Sequence, residues 1–464
     1  MKKSINRRSF LKQSLLTGAT GVAGIAGSNL FSSIAGLGKI QAALAQNSFS
    51  SFPDYKALVC IFLHGGNDGF NLLVPRDNDN YGVYQVSRQN LAIAQEDLLA
   101  IAPSSGGDFG LHPAMVEMQS LFQSGQLAIQ SNVGTLIEPV TKAAIQSGTA
   151  VLPERLFSHN DQSALWKTAY AGGPGNTGWG GRVADLISTQ NTSQVSMNIS
   201  IAGNNLFQVG SNIAPYSMNA SGPEEMFGLN SALEWEQNRA AVFQRIRDLS
   251  SNHLLERTHA NLIRNTQDTA DLLITALASA PTINTVFPPG NTLAAQLEMV
   301  AKMIGSSDIL GFQRQIFFVT LGGFDTHNRQ NIDQPTLLST LSQAMNSFYN
   351  ATEELGVANQ VTSFTLSDFG RTLTSNGDGT DHGWGSNHMI MGGAVNGGDI
   401  FGTVPELSIG GPDDVGDGRM IPTTSVEQYA ATMARWFGIN ESELLEVFPN
   451  LANFNTSNLG FMTS

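Results

Sequence analysis

Aspartate and histidine recur in this chain where apolar runs end. Asp68 follows the run at residues 57–63, Asp325 and His327 follow 315–321, and Asp368 follows 361–366. Asp381, His382 and His388 come just before the apolar triplet at 389–391. These three imidazoles and four carboxylates are donors for a divalent cation, which takes nitrogen and oxygen ligands converging from separate loops. Gly65, Gly66, Gly322, Gly323, Gly383 and Gly385 stand beside them and let the backbone bend close to an ion. A single aspartate after a strand is an ordinary helix cap or turn former. Four such places in one chain point instead to a shared site, with zinc, calcium or manganese as candidate ions. Cys60 is the single cysteine, so neither a thiolate cluster nor an intrachain disulfide is available.

A fifth segment, Arg155 to Ser163, precedes a helix-compatible run. Ser158 can present its hydroxyl at that helix N-terminus, where backbone N–H groups favour an anion, or can serve as a plain N-cap with Asp161 three residues on. His159 beside it is a candidate general base. Arg371, shortly after Asp368, has the fork geometry to clamp an anionic substrate and is equally suited to a salt bridge. His253 and His259 lie in a polar helical stretch and read as surface or packing residues.

The elements that must position these groups alternate between strand and helix. Residues 57–63 form a continuous apolar run, as a buried parallel strand does, and run into His64-Gly65-Gly66-Asn67-Asp68. The pattern then predicts a helix over 113–124 and strands over 126–133 and 195–201. Long polar helices follow over 231–277, interrupted near 250–252, and an inserted helical cap over 208–290 is one reading of them. Alternation resumes with a helix at 292–304, a strand at 315–321, a helix at 335–355, strands at 361–366 and 389–391, and a helix at 426–437. This is the order of a doubly wound α/β domain with a mostly parallel sheet, which places ligands beyond the carboxyl ends of its strands.

Within residues 1–45 lie six basic residues and no acidic ones, with Arg7-Arg8 followed by a weakly apolar stretch and Ala43-Leu44-Ala45. This reads as a twin-arginine signal with a small-residue cleavage pattern. Six glycines between residues 18 and 38 make the stretch a poor bilayer-spanning helix. The expectation is a periplasmic or secreted protein of residues 46–464, with no stable membrane span once the signal is removed. The 464-residue chain carries 24 basic against 38 acidic side chains, a formal charge of −14. That balance repels phosphate backbones and anionic lipid, which excludes nucleic-acid binding and peripheral membrane attachment as the main activity.

The motifs HGGNDGFN, GLHP, FSHNDQ, GGFDTHNRQ, SDFGRT, TDHGWGSNH, GGAVNGGDIFG and GRMIPTTSVEQYAATMARWFG run nearly end to end. Through them the chain resembles the bacterial "domain of unknown function 1501" family. The resemblance implies an alkaline-phosphatase-like core of the kind shared with sulfatases. It also implies roles: Asp68 as first-strand ligand, Ser158 as nucleophile, Asp325 with His327 as an Asp…His pair, and His382 as the late histidine with His388 as substitute. Asp368 stands where an Asp-His pair is usual, with Phe369 in the histidine's place, and Asp381-His382 can replace that pair. The activity implied is hydrolysis of a small anionic phosphate or sulfate ester; the alternative is a non-catalytic protein that binds an envelope component on the same scaffold.

Overall fold

Seven of the eight residues Lys56–Leu63 are fully buried, and an apolar run buried on both faces is stable only inside a sheet covered on both sides. In the computed structural model, which describes residues 52–173, 175–224, 233–248 and 253–463, this strand lies in the middle of the sheet. The twin-arginine segment expected over residues 1–45 lies outside the described residues.

Nine strands form the central sheet: β1 (Lys56–Leu63), β2 (Leu127–Gly134), β3 (Asn198–Ser200), β4 (Tyr216–Ser217), β5 (Arg314–Leu321), β6 (Val361–Ser367), β7 (Ser386–Met391), β8 (Ile400–Phe401) and β9 (Thr424–Ser425). Their order is β8-β2-β7-β6-β1-β5-β3-β4, with β9 also paired to β2. All pairings are parallel except those of β7, which runs antiparallel to both β2 and β6. The doubly wound, mostly parallel arrangement is therefore present, and residues 53–464 fold as one compact unit.

Helices cover the sheet in two groups. Val116–Gln123, Thr292–Gly305 and Gln330–Glu354 pack together, while His159–Thr168, Trp179–Ile187, Val426–Phe437 and Glu441–Val447 form the second set. Helix Val426–Phe437 matches its predicted bounds because its start is encoded locally: Ser425 and Gln428 make a reciprocal capping box. Helix Gln330–Glu354 begins five residues before the predicted start at Pro335. Tertiary contacts extend it, since the buried side chains of Gln330 and Gln334 donate to Asp68 Oδ2 (2.5 Å) and to the Asp68 carbonyl (3.1 Å). The predicted strand at 195–201 narrows to Asn198–Ser200.

In the stretch read as polar helices, Glu234–Asp248 and Leu254–Ala278 contact each other, and the second buries Ala270, Leu273 and Ala276. His253 and His259 are exposed, in keeping with a surface role.

Candidate metal centre

β6, β1 and β5 are parallel neighbours, so their carboxyl ends share one edge of the sheet. His64 leaves β1, Asp368 leaves β6, and Asp325 lies four residues beyond β5. The backbones there approach closely: a Cβ on Gly65 (φ +115°) would sit 2.3 Å from Asp325 N, so only glycine fits. His382 is carried by the hairpin Arg371–Ser375/Thr380–His382, in which Arg371 and His382 are cross-strand partners. His159 is the first residue of its helix and follows Phe157, whose left-handed φ of +74° is strained for an aromatic residue.

Three imidazoles each have their Nδ1 engaged. His159 Nδ1 meets Asp368 Oδ2 at 2.8 Å, His327 Nδ1 meets Asp381 Oδ1 at 3.0 Å, and His382 Nδ1 meets the Phe157 carbonyl at 2.7 Å. An Nδ1–H donated to an acceptor leaves Nε2 as the ring's free lone pair. All three Nε2 atoms face Asp325. Those of His327 and His382 are 3.2 and 3.4 Å from Oδ1 and 2.9 Å from each other. Ligand atoms held tetrahedrally at 2.0–2.1 Å from zinc are about 3.3 Å apart, so this triangle has the size of one ligand face. His159 Nε2 lies 3.4 Å from Asp325 Oδ2 and is buried without a hydrogen-bond partner. His159, Asp325 and His382 offer ligand atoms within 4.8 Å of one another. The donor set thus fits a divalent ion.

Electrostatics favour the cation-binding forms of Asp325 and His382. Burial raises the Asp325 pKa, but the hydrogen bond and charge of Arg371, at 2.8 Å, outweigh it and hold the carboxyl below its ordinary value. Burial lowers the His382 pKa against the Phe157 hydrogen bond, and the Arg371 charge lowers it further, which favours a neutral ring. The side chains of Asp325 (45%), His327 (41%) and His159 (34%) are partly exposed, leaving solvent access.

Not every residue singled out in the sequence joins this cluster. Asp68 caps helix Gly69–Leu72 and is 3% exposed; its carboxylate is taken up by a buried pair with Arg88, by Gln330 and by the N–H groups of Phe70 and Asn71. With its charge neutralised by Arg88, it stands as part of the core and not as a ligand. His388 lies inside the sheet, bonded through Nδ1 to Thr365 Oγ1 (3.2 Å) and packed on Trp166, and burial drives its pKa down to about 3. Asp368 and Asp381 orient imidazoles instead of facing the ligand triangle. Arg371 is fully buried; its donors go to Asp325, Gly65 O and the hydroxyl and carbonyl of Thr380, which leaves it a positioning residue and not a substrate clamp. Ser158 is the helix N-cap residue, but its Oγ makes no cap bond and donates to Asp161 Oδ2 at 2.6 Å.

Phe369 is 1% exposed and packs against His159 (ring centroids 4.8 Å) and His382 (4.5 Å), forming the wall that fixes both rings. Nothing in the sequence signals the Phe157 carbonyl, and the one signal for Asp161 is its spacing from Ser158.

Fold and site together define an α/β protein with a three-histidine, one-aspartate cluster at the strand ends of its central sheet. Residues 55–449 match the family described as "Protein of unknown function (DUF1501)", and the chain belongs to that family. A search of curated proteins gave no match. Among solved structures, the chain is similar to the PsFucS1 sulfatase from Pseudoalteromonas sp., with 10% identity, a TM-score of 0.34, and coverage of 92% of this chain and 73% of that one. It is also similar to the lipoteichoic acid synthase LtaP from Listeria monocytogenes, with 8% identity, a TM-score of 0.34, and coverage of 89% and 81%. No helix among the described residues is long and apolar enough to cross a membrane.

Proposed function

We propose that this chain is an exported, metal-dependent hydrolase of phosphate or sulfate esters. The observation that carries the reading is the triangle of His327 Nε2, His382 Nε2 and Asp325 Oδ1, with sides of 2.9, 3.2 and 3.4 Å. Three protein ligands leave a fourth position for water or substrate, as catalytic sites do. The imidazole-rich set suits zinc or manganese better than calcium, which prefers oxygen ligands throughout. A bound ion supplies Lewis acidity to the ester.

The chain's own residues supply the rest. Asp161 accepts the Ser158 hydroxyl proton, the pairing that activates a serine nucleophile. His159 stands beside Ser158 with Nδ1 held by Asp368, so its Nε2 can move a proton to or from the ester oxygen. Arg371 holds Asp325 in place from beneath. The substrate class rests on the motif order of the family resemblance, and export rests on the twin-arginine segment.

A second reading, a non-catalytic scaffold that binds an anionic envelope component, draws on one observation: Arg371 spends all its contacts internally and cannot clamp substrate. Screening aryl phosphates and sulfates with chelated and zinc-reloaded protein separates the two. Turnover lost on chelation, restored by zinc and absent in Ser158→Ala supports the hydrolase. Turnover indifferent to chelation overturns it.

A further inference from the structure

Every lysine among the described residues but one is tied to a carboxylate or a carbonyl. Lys302 Nζ pairs with Glu298 at 2.6 Å, Lys56 pairs with Asp54 at 3.6 Å and donates to the Trp436 carbonyl, and Lys142 donates to the carbonyls of Gly410 and Gly411. Lys167 is the exception. Its ammonium donates to the Ser163 hydroxyl at 2.8 Å and rests 4.2 Å from the centroid of the Phe62 ring, and no carboxylate among the described residues pairs with it. An ammonium has three N–H donors, so two stay open. The side chain is half-buried, and burial holds its pKa below the ordinary value, so the charge is costly until an anion meets it.

The position of this lysine says which anion. Lys167 belongs to the helix that begins at His159. At 3.6 residues per turn, His159, Ser163 and Lys167 stack on one face, and Lys167 leans back over the preceding turn onto Ser163. The Ser163 position that holds its ammonium lies about 6 Å along the helix from His159, whose Nε2 faces Asp325. His64 borders the same spot: its ring lies 4.5 Å from the Phe62 ring, its side chain is 45% exposed, and neither ring nitrogen makes a hydrogen bond among the described residues. Asp368 attracts the ammonium through space without pairing to it; its Oδ2 is committed to His159 Nδ1 and Gly65 N, and its Oδ1 is buried 3.9 Å from His64 Nδ1.

We propose that Lys167, with His64 beside it, binds a second anionic group of the substrate, so that the preferred ester carries a further carboxylate, sulfate or phosphate about one helical turn from the group that reacts. That spacing is longer than one tetrahedral group, which assigns Lys167 to a second charge and not to the ester oxygens on the ion. The proposal rests on the hydrolase reading given above and names its substrate class.

The probes are 4-carboxyphenyl phosphate and sulfate, whose carboxylate lies across the ring from the ester, and their neutral 4-carbamoylphenyl counterparts, all with zinc-loaded protein. The expected result is a several-fold lower KM for the carboxylate esters. Lys167→Met should erase that difference by raising their KM while keeping the metal content and circular dichroism of the parent, and Lys167→Arg should retain most of it. A second measurement needs neither turnover nor a variant. Acetylation of the parent by acetic anhydride, mapped by peptide mass spectrometry, should slow at Lys167 and not at Lys302 in the presence of 4-carboxyphenylphosphonate, and slow far less with 4-carbamoylphenylphosphonate. Absence of turnover on all four esters would contradict the hydrolase reading, and the labelling then decides the subsite by itself. Equal KM for charged and neutral esters, a preference that survives Lys167→Met, or equal protection of Lys167 by the two phosphonates would each overturn the proposal.

Discussion

Replacing Asp381 by alanine tests a group that stands behind the proposed ligand His327. Asp381 Oδ1 accepts from His327 Nδ1 at 3.0 Å and from Asn376 Nδ2 at 3.1 Å. Removing a carboxylate that orients a ligating histidine typically costs 10–100-fold in metal affinity, or roughly 1.4–2.7 kcal/mol. The Asp381 side chain is 53% exposed, so solvent screens its charge and water can replace its acceptor, which puts the expectation near the lower end, about tenfold. Asp368 is 4% exposed at its side chain and holds His159 where water cannot substitute, so Asp368→Ala should impair turnover more than Asp381→Ala does. Competition with a chromogenic zinc chelator measures the affinity of each variant. An Asp381→Ala protein that binds zinc as tightly as the parent would refute the claim that His327 is a ligand oriented through Nδ1.

Further expectations follow from neighbouring groups. Arg371→Met removes the partner of Asp325 and, because the 45% exposed Asp325 side chain stays solvated, should lower unfolding free energy by only about 1 kcal/mol, read from urea midpoints; a loss confined to KM would instead mark Arg371 as a substrate clamp. Burial depresses His388 to a pKa of about 3 and His112 to about 4. The unfolded chain therefore takes up protons first, so the stability they confer is complete above about pH 6.5 and is lost as pH falls towards those values. At pH 5 the His388 contribution amounts to a loss of about 2 kcal/mol, and His388→Gln should flatten the pH dependence of the urea midpoint between pH 7.5 and 5; an unchanged slope would count against a buried neutral ring. Ser158→Ala should abolish turnover with little change in melting temperature, because its Oγ makes no cap bond; full activity would shift attack to water.

Much of the frame was legible in the chain because its signals are local. The apolar runs that became β1, β5 and β6 announce themselves by composition, and parallel neighbours put the residues that follow them on one edge. Asp325, His327 and His382 could be named for that reason. The partners of each imidazole could not: His159 and Asp368 are 209 residues apart, and His382 meets a carbonyl 225 residues away, which no spacing rule reaches. The partners of Asp68 are hidden for the same cause. Its position after β1 suits a ligand, yet the buried Arg88 that neutralises it comes from the end of helix Asn78–Arg88, where the sequence shows only an ordinary arginine in a last turn. Phe369 in place of a ligand histidine reads as a defect in the motif, whereas in the fold it packs both His159 and His382.

The proposed centre is one ion bound by His327, His382 and Asp325. Metal analysis of the purified protein, run beside His382→Ala and Asp68→Asn, tests it directly. The expectation is one zinc or manganese ion per chain in the parent and in Asp68→Asn, and loss of that ion in His382→Ala. A metal-free parent, or a His382→Ala protein that keeps its full complement, would contradict it.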